Sequence, residues 1–155
     1  MSMARGLPIR ATDFAEVIMK VETAVLGVAL SLLIAMPAHA DPNANKVLVA
    51  HFIRDVFVAK NPDAARKYLA PDYIQHNPHV APGAEGFVTS MREWLAHAPA
   101  DMNDQTLHLV SEGDLVVAHQ QVTYTAKDGT KKRAVGFDMF RVNQGRIVEH
   151  WDSDG

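Results

Sequence analysis

The sequence predicts an α+β domain in which amphipathic helices precede a curved, mostly antiparallel sheet. Apolar residues recur at three- and four-residue steps through residues 43–58 and again through residues 85–97, a spacing typical of helices with one buried face. Further along the chain, runs with strand-like alternation are separated by turns such as Asp128-Gly129 and Asn143-Gln144-Gly145. Helices that are segregated from such hairpins pack on one face of the sheet. We therefore expect a curved sheet that is closed on one side by the helices and forms a cone with a ligand cavity.

The remaining elements follow from their start and stop signals. Asn61 and Pro62 can cap and begin a second short helix, and Pro71 ends it. Residues 72–77 form a short extended segment that stops at Pro78. The sequence predicts four further strands, at residues 106–110, 115–125, 132–142 and 146–152.

The start of the chain has the form of a secretory leader. Residues 24–35 are a continuous apolar run, preceded by Lys20 and too short to span a bilayer comfortably. Ala38-His39-Ala40 then matches the form of a secretory cleavage site. We predict a signal peptide that is cleaved between Ala40 and Asp41, with Met19 as an alternative start. The mature protein is expected to be secreted or periplasmic, without a stable membrane anchor.

Residues 41–155 are predicted to form a single domain of limited chemical repertoire. The net charge of −3, with acidic and basic residues interspersed, gives no basic footprint for nucleic acid. The absence of cysteine excludes thiol catalysis, disulfides and thiolate metal ligands. His76 and His79 are close in sequence but lie on either side of Pro78, so they do not share a helix face. We expect no metal and no cofactor.

The hairpin between residues 135 and 152 contains the best functional clue. Asp138 stands between Phe137 and Met139 in mid-strand, where a carboxylate must be paired, hydrogen-bonded or protonated if it faces inward. Strand alternation groups Asp138 with Gly136, which leaves space beside it, and with Phe140, which would bound a substrate pocket. Asp138 is therefore the candidate catalytic base. The alternative is a salt bridge to a neighbouring strand.

His119 is the candidate acid/base partner of Asp138. It lies in the middle of the strand at residues 115–125, where alternation groups it with Val117, Gln121 and Thr123. Imidazole titrates near neutral pH, so a pocket histidine could act as a general acid or base. The alternative is a partly exposed strand histidine without a catalytic role.

Several other side chains are candidates for substrate binding. Tyr73, Gln75 and Asn77 share one face of the first extended segment and offer the hydroxyl and amide groups that fix a carbonyl or a water. The alternative for Asn77 is turn chemistry before Pro78. Trp94 lies on the apolar face of the predicted helix at residues 85–97.

The inward face of the last strand is left open by the sequence. One set consists of Ile147, Glu149 and Trp151, and the opposite set consists of Val148, His150 and Asp152. Trp151 favours the first set and would add a flat apolar wall to the pocket. In the second set, Asp152 could orient the imidazole of His150.

Three segments together resemble the SnoaL-like proteins of the nuclear transport factor 2-like superfamily. They read YIQHNP at residues 73–78, DLVVAH at residues 114–119 and FDMFRVNQGRIVEHWD at residues 137–152, and the resemblance covers about residues 46–152. It is strongest to a branch predicted to catalyse aldol-type condensations. The paired carboxylates of the superfamily's epoxide hydrolases are not evident in the sequence.

The resemblance implies a conical α+β barrel with a deep apolar pocket and often a homodimer through the sheet face. It also implies cofactor-independent acid/base catalysis on a small apolar carbonyl compound. Asp138 would be the base, His119 its partner, and Gln75 and Asn77 the donors to the carbonyl oxygen. The alternatives are a domain that binds a small molecule without turning it over and a dimeric structural module.

Overall fold

The computed structural model describes residues 41–153. The predicted signal peptide, its alternative start and the residue on the leader side of the predicted cleavage site lie outside this range. Within it, no helix is long and apolar enough to cross a membrane.

The first layer of the fold consists of helices. Helix α1 spans Pro42–Ile53, and the Oδ1 atom of Asp41 caps it by accepting a hydrogen bond from the backbone N–H of Asn43 at 2.9 Å. The chain continues directly into a π-helical segment, Arg54–Val58, and then into a 3-10 helix, Pro62–Lys67. Helix α2 spans Gly83–His97 and packs against the first strand and the 3-10 helix.

The second layer is a five-stranded mixed sheet. Its strands are β1 (Leu69–Gln75), β2 (Asn103–Glu112), β3 (Leu115–Thr125), β4 (Lys131–Asn143) and β5 (Arg146–Asp152). The strand order is β1-β5-β4-β3-β2, and β1 pairs with β5 in parallel while the other pairs are antiparallel. The α+β prediction is confirmed, but the sheet is open, with β1 and β2 at its edges, and does not close into a barrel.

The core fills the space between the helices and the inner face of the sheet. Phe52 of α1 lies at its centre, 1% exposed, with ring centroids 5.7–6.0 Å from the four rings of Phe57, Tyr68, Phe87 and Phe140. Because Phe140 belongs to β4, these contacts fix α1 against the strand that carries Asp138.

An irregularity in β5 decides which of its side chains face inward. Val142 is paired with Ile147 and Arg141 with Glu149, so that Val148 is an extra residue on β5. The extra residue lets Ile147, His150 and Asp152 all face the inside, although simple alternation separates Ile147 from the other two. Ile147 is fully buried, and His150 is 7% exposed. The preference for Glu149 and Trp151 on the inner face was therefore wrong.

Candidate active site

Asp138 and His150 form a hydrogen-bonded pair on the inner face of the sheet. The Nε2 atom of His150 lies 3.0 Å from Oδ1 of Asp138, and the two side chains are 9% and 24% exposed, respectively. Asp138 lies on β4 and is paired across the strands with Asp152, while His150 is paired with Phe140. Both residues thus belong to the hairpin at residues 135–152, with Asp138 on its first strand and His150 on its second.

The hydrogen bonds of Gln75 determine which nitrogen of His150 carries a proton. The backbone N–H of Asn77 can only donate, and it contacts the side-chain oxygen Oε1 of Gln75 at 2.9 Å. The same oxygen lies 3.0 Å from Nδ1 of His150, so Nδ1 must donate to it. One proton therefore has to lie between Nε2 and Oδ1 of Asp138, either on the imidazole or on the carboxyl group.

The second oxygen of Asp138 is also held by an amide. Nε2 of Gln120 donates to Oδ2 of Asp138 at 3.1 Å, and the hydroxyl of Thr106 donates to Oε1 of Gln120 at 3.1 Å. Gln120 is buried, at 8% exposure, so its orientation is fixed by these two contacts. The carboxyl group of Asp138 is thus held by Gln120 on one side and by His150 on the other.

Asp152 brings a second carboxylate to the same place. Nδ2 of Asn77 donates to Oδ2 of Asp152 at 2.7 Å, and one ligand atom each from Asp138, His150 and Asp152 lie within 4.8 Å of one another. Two carboxylates that are not evident as a pair in the sequence are thus brought together, because β5 turns Asp152 inward opposite Asp138. Like charges directly opposite each other in a sheet repel.

A cavity of about 380 Å³ opens onto these polar groups. Its polar floor contains Gln75, Asn77, Asp138, His150 and Asp152. Its other walls are mostly apolar and come from the helical layer and the loop before α2: Phe57, His79, Val80, Phe87, Ser90, Met91 and Trp94. A wider cleft of about 1000 Å³ shares His79, Ser90 and Trp94 with it and extends along the inner sheet face to Tyr124. Four of the candidate site residues therefore line the cavity: Gln75, Asn77, Asp138 and Trp94.

The prediction that His119 shares a pocket with Asp138 is wrong. In the β3–β4 pair, Ala118 is opposite Asp138 and His119 is opposite Phe137. Side chains opposite each other lie on the same face, so His119 is on the outer face with exposed Phe137. There its ring stacks on Phe137, with centroids 4.6 Å apart, and its Nδ1 lies 3.1 Å from Nδ1 of His108.

Three predicted substrate-binding aromatics lie elsewhere. Trp151 is on the outer face and stacks on His76, with ring centroids 5.0 Å apart. Phe140 is 2% exposed and packs behind the cavity, between Phe52 and the ring of His150. Tyr73 is also 2% exposed, and its hydroxyl accepts a hydrogen bond from Nε2 of Gln75 at 3.0 Å. Phe140 and Tyr73 therefore support the polar residues from behind, and neither lines the cavity.

The hydroxyl of Tyr73 remains protonated in this setting. Burial raises its pKa well above the ordinary value, and the nearby carboxylates of Asp138 and Asp152 raise it further. A neutral hydroxyl can keep accepting the hydrogen bond from Gln75 without adding charge next to the two carboxylates.

Asp104 is a third carboxylate that the sequence did not single out. Asp104 lies on the inner face of β2, opposite Val122. Its Oδ1 atom is buried without a hydrogen-bond partner among the described residues. Burial raises the pKa of Asp104 to about 6, and the charge of Asp138 adds to the shift. A partly buried carboxylate of this kind costs stability when it ionises.

Asp104→Asn is expected to stabilise the protein at pH 8 by roughly 1–3 kcal/mol, and to change little at pH 3. Because the pKa is raised in the folded state, ionisation of the unfolded chain removes stability as the pH rises from about 4 to about 6. An asparagine does not ionise, so the variant escapes this loss. Urea unfolding of both proteins at the two pH values is the measurement. An equal difference at both pH values would contradict the assignment.

The residues that sequence reasoning missed do have partial sequence signals. Counting equal numbers of residues outward from Asp128, in the β3–β4 turn, places Ala118 opposite Asp138 and Gln120 beside it on the same face. This count would have removed His119 and found Gln120. The same count from the midpoint of the turn Gln144-Gly145 places Trp151 opposite Asp138 instead of Asp152, because the extra residue at Val148 shifts the register of β5.

Solved structures of similar proteins have the same fold. TsrD from Streptomyces laurentii is 26% identical with a TM-score of 0.62, covering 73% of this chain and 89% of its own. IdmH, a candidate polyketide cyclase from Streptomyces antibioticus, is 26% identical with a TM-score of 0.59, covering 70% and 89%. A candidate polyketide cyclase from Acidithiobacillus ferrooxidans is 24% identical with a TM-score of 0.62, covering 76% and 89%.

The sequence comparisons agree with the structural ones at the level of the family. No protein in a search of curated proteins matches this chain. The profile of the SnoaL-like domain matches residues 49–150, which include all five strands except the last two residues of β5, together with Asp138 and His150. The chain therefore belongs to the SnoaL-like domain family.

Proposed function

We propose that this protein is an exported acid/base catalyst that moves a proton next to the carbonyl group of a small, largely apolar compound, without a cofactor. The observation that carries the proposal is the contact of 3.0 Å between Asp138 and His150 at the floor of the cavity. Such proton transfer is the first step of aldol-type cyclisation and of carbonyl isomerisation. The names of IdmH and the Acidithiobacillus protein point in the same direction.

In the proposed step, Asp138 accepts the proton from the carbon next to the carbonyl. His150 acts through its Nε2 atom and shares the proton with the carboxyl group of Asp138. Gln75 accepts a hydrogen bond from Nδ1 of His150 and thereby keeps that nitrogen protonated. Gln120 holds the second oxygen of Asp138, so the carboxyl group does not have to reorient during the transfer. A base that is already positioned in this way contributes about 10²–10⁴-fold to such a reaction.

The negative charge that develops on the carbonyl oxygen needs a donor. Asn77 lines the cavity and uses one amide hydrogen for Asp152. Its NH₂ group carries two hydrogens, and we assign the second one to the carbonyl oxygen. Gln75 has a different role from the one expected, because it orients His150 and contacts Tyr73.

The shape of the cavity supports an apolar substrate body. Phe57, Phe87, Met91 and Trp94 face the polar floor across a volume that accommodates a small ring system. The adjoining cleft, which extends to Tyr124, gives room for a longer substituent.

Two histidine variants test the proposal as a matched pair. His150→Gln is expected to lower proton exchange by about 10²-fold or more, because glutamine cannot share the proton with Asp138. His119→Gln is expected to have no effect, since His119 lies on the outer face. Exchange is followed by NMR in D₂O, as loss of the proton signal next to the carbonyl in small aryl ketones such as 1-tetralone.

The outcomes of this experiment separate catalysis from simple binding. If the ketones bind, as shown by shifted protein signals, but the unmodified protein does not accelerate exchange, the chain is a binding domain for such compounds. If His119→Gln loses activity and His150→Gln does not, the assignment of His150 is wrong. The expected homodimer and the predicted export remain predictions.

A further inference from the structure

We propose that Asp138, His150 and Asp152 form a binding site for a divalent transition-metal ion such as Zn²⁺. These residues belong to the polar floor of the cavity, but the inference does not rest on the proposed reaction. Three potential ligand atoms, one from each side chain, lie within 4.8 Å of one another. Two come from carboxylates and one from an imidazole, a mixed oxygen and nitrogen set that suits Zn²⁺ and its neighbours in the first transition row.

The first argument is the tautomer of His150. A histidine that binds a metal presents an unprotonated nitrogen and donates its other N–H to a fixed acceptor. Here Nδ1 donates to Oε1 of Gln75, an oxygen that is itself identified by the backbone N–H of Asn77. Nε2 is thereby directed at the carboxylates. The ring is oriented as a metal ligand requires, and a metal would replace the proton that Nε2 otherwise shares with Asp138.

The second argument is that an amide also holds each carboxylate. Gln120 donates to Oδ2 of Asp138 and Asn77 donates to Oδ2 of Asp152. Each of the three candidate ligands thus has an outer partner of its own. Gln75 on β1 contacts His150, Gln120 on β3 contacts Asp138, and Asn77, which follows β1, contacts Asp152. Outer partners of this kind orient ligands and commonly change metal affinity by about 10–100-fold when they are removed.

The third argument is electrostatic. Asp138 and Asp152 are directly opposite each other on neighbouring strands and both face inward. Two like charges in this position repel each other, and among the described residues the hydrogen-bond partners of Asp138 are His150 and Gln120. A divalent cation placed between the two side chains would be attracted by both carboxylates.

The geometry needs only a small adjustment. Zinc bonds of about 2.0–2.2 Å place tetrahedral ligand atoms roughly 3.3–3.6 Å apart. Nε2 of His150 and Oδ1 of Asp138 are 3.0 Å apart and need to separate slightly, and the ligand atom of Asp152, which lies within 4.8 Å of both, has to come into the same range. The cavity above the three side chains leaves the fourth coordination position to water or to a small ligand.

Zinc titration of the purified full chain, freed of metal with a chelator, tests the inference by calorimetry. We expect one Zn²⁺ per chain, no response to Mg²⁺ at the same concentrations, and a higher melting temperature with Zn²⁺. Asp152→Asn and His150→Gln are each expected to weaken the binding at least about tenfold and to remove the zinc-dependent rise in melting temperature. Folding of both variants is checked by their melting curves without metal.

His119→Gln is the matched control, because His108 and His119 form a histidine pair on the outer face that could also capture zinc. Zinc binding that persists in this variant supports the inner site. Binding that is lost in His119→Gln, binding that is unaffected in Asp152→Asn, or no binding to the unmodified chain would each overturn the inference. None of these readouts uses a substrate, so they are independent of whether the proposed proton transfer takes place.

Discussion

Asp138→Asn is expected to lower the acceleration of proton exchange by about 10²–10⁴-fold. The asparagine side chain can still accept a hydrogen bond from Gln120 and occupies nearly the same volume, so the surroundings of residue 138 are preserved. It cannot take up a proton from carbon, which is the step assigned to the carboxylate. NMR-detected exchange in small aryl ketones, compared at saturating ketone, measures the effect on the chemical step.

The matched control for this variant is Asp114→Asn. Asp114 accepts a hydrogen bond from Arg141 at 2.8 Å and lies away from the cavity, so the same chemical change is made where no catalytic role is assigned. We expect the control to exchange protons at the unmodified rate. Equal rates in Asp138→Asn and in the unmodified protein, with both proteins folded, would remove Asp138 from the mechanism.

Phe52→Ala is expected to cost about 3–5 kcal/mol of the free energy of unfolding. Phe52 is 1% exposed, and its ring contacts four other aromatic rings from the helical layer and the sheet. Truncation would leave a cavity that the surrounding rings cannot fill without losing their own contacts. A loss of this size is a large part of the stability of a domain of this length.

Urea unfolding at neutral pH measures this loss, and Val47→Ala on the same helix is the control. Val47 is 55% exposed, so its truncation is expected to change the free energy of unfolding by less than about 0.5 kcal/mol. A cost below about 1 kcal/mol for Phe52→Ala would contradict the central position of this ring. Because Phe140 packs between Phe52 and His150, the variant is also expected to loosen the site.

The local elements could be predicted well because their signals are local. The bounds of β3 and β5 agree with the predicted residues 115–125 and 146–152, since turn residues mark both ends of these runs. Helix α2 begins two residues earlier than predicted and ends at the predicted residue, His97. Strand alternation also places Asp138 on one face with Gly136 and Phe140, but it leaves open whether that face is inside.

The partner of Asp138 could not be found in the same way. His119 and His150 both lie on strands that neighbour β4, and alternation within each strand does not say which face is inside. The more apolar set of β3, with Val116 and Ala118 fully buried, faces the core and leaves His119 outside. The sequence already shows that this set is the more apolar one, which argues against His119 as a pocket residue but does not identify His150.

By itself, the sequence determined the class of the domain, the order of its elements and the family resemblance, and it singled out Asp138 as the candidate base. Only the tertiary structure decided that His150 and Asp152 join Asp138. The reason is the extra residue at Val148, which keeps Ile147 in the core and also turns His150 and Asp152 inward. A one-residue shift of this kind reverses the faces of a strand, and it depends on the pairing of β5 with β4 and β1 rather than on the residues of β5 alone.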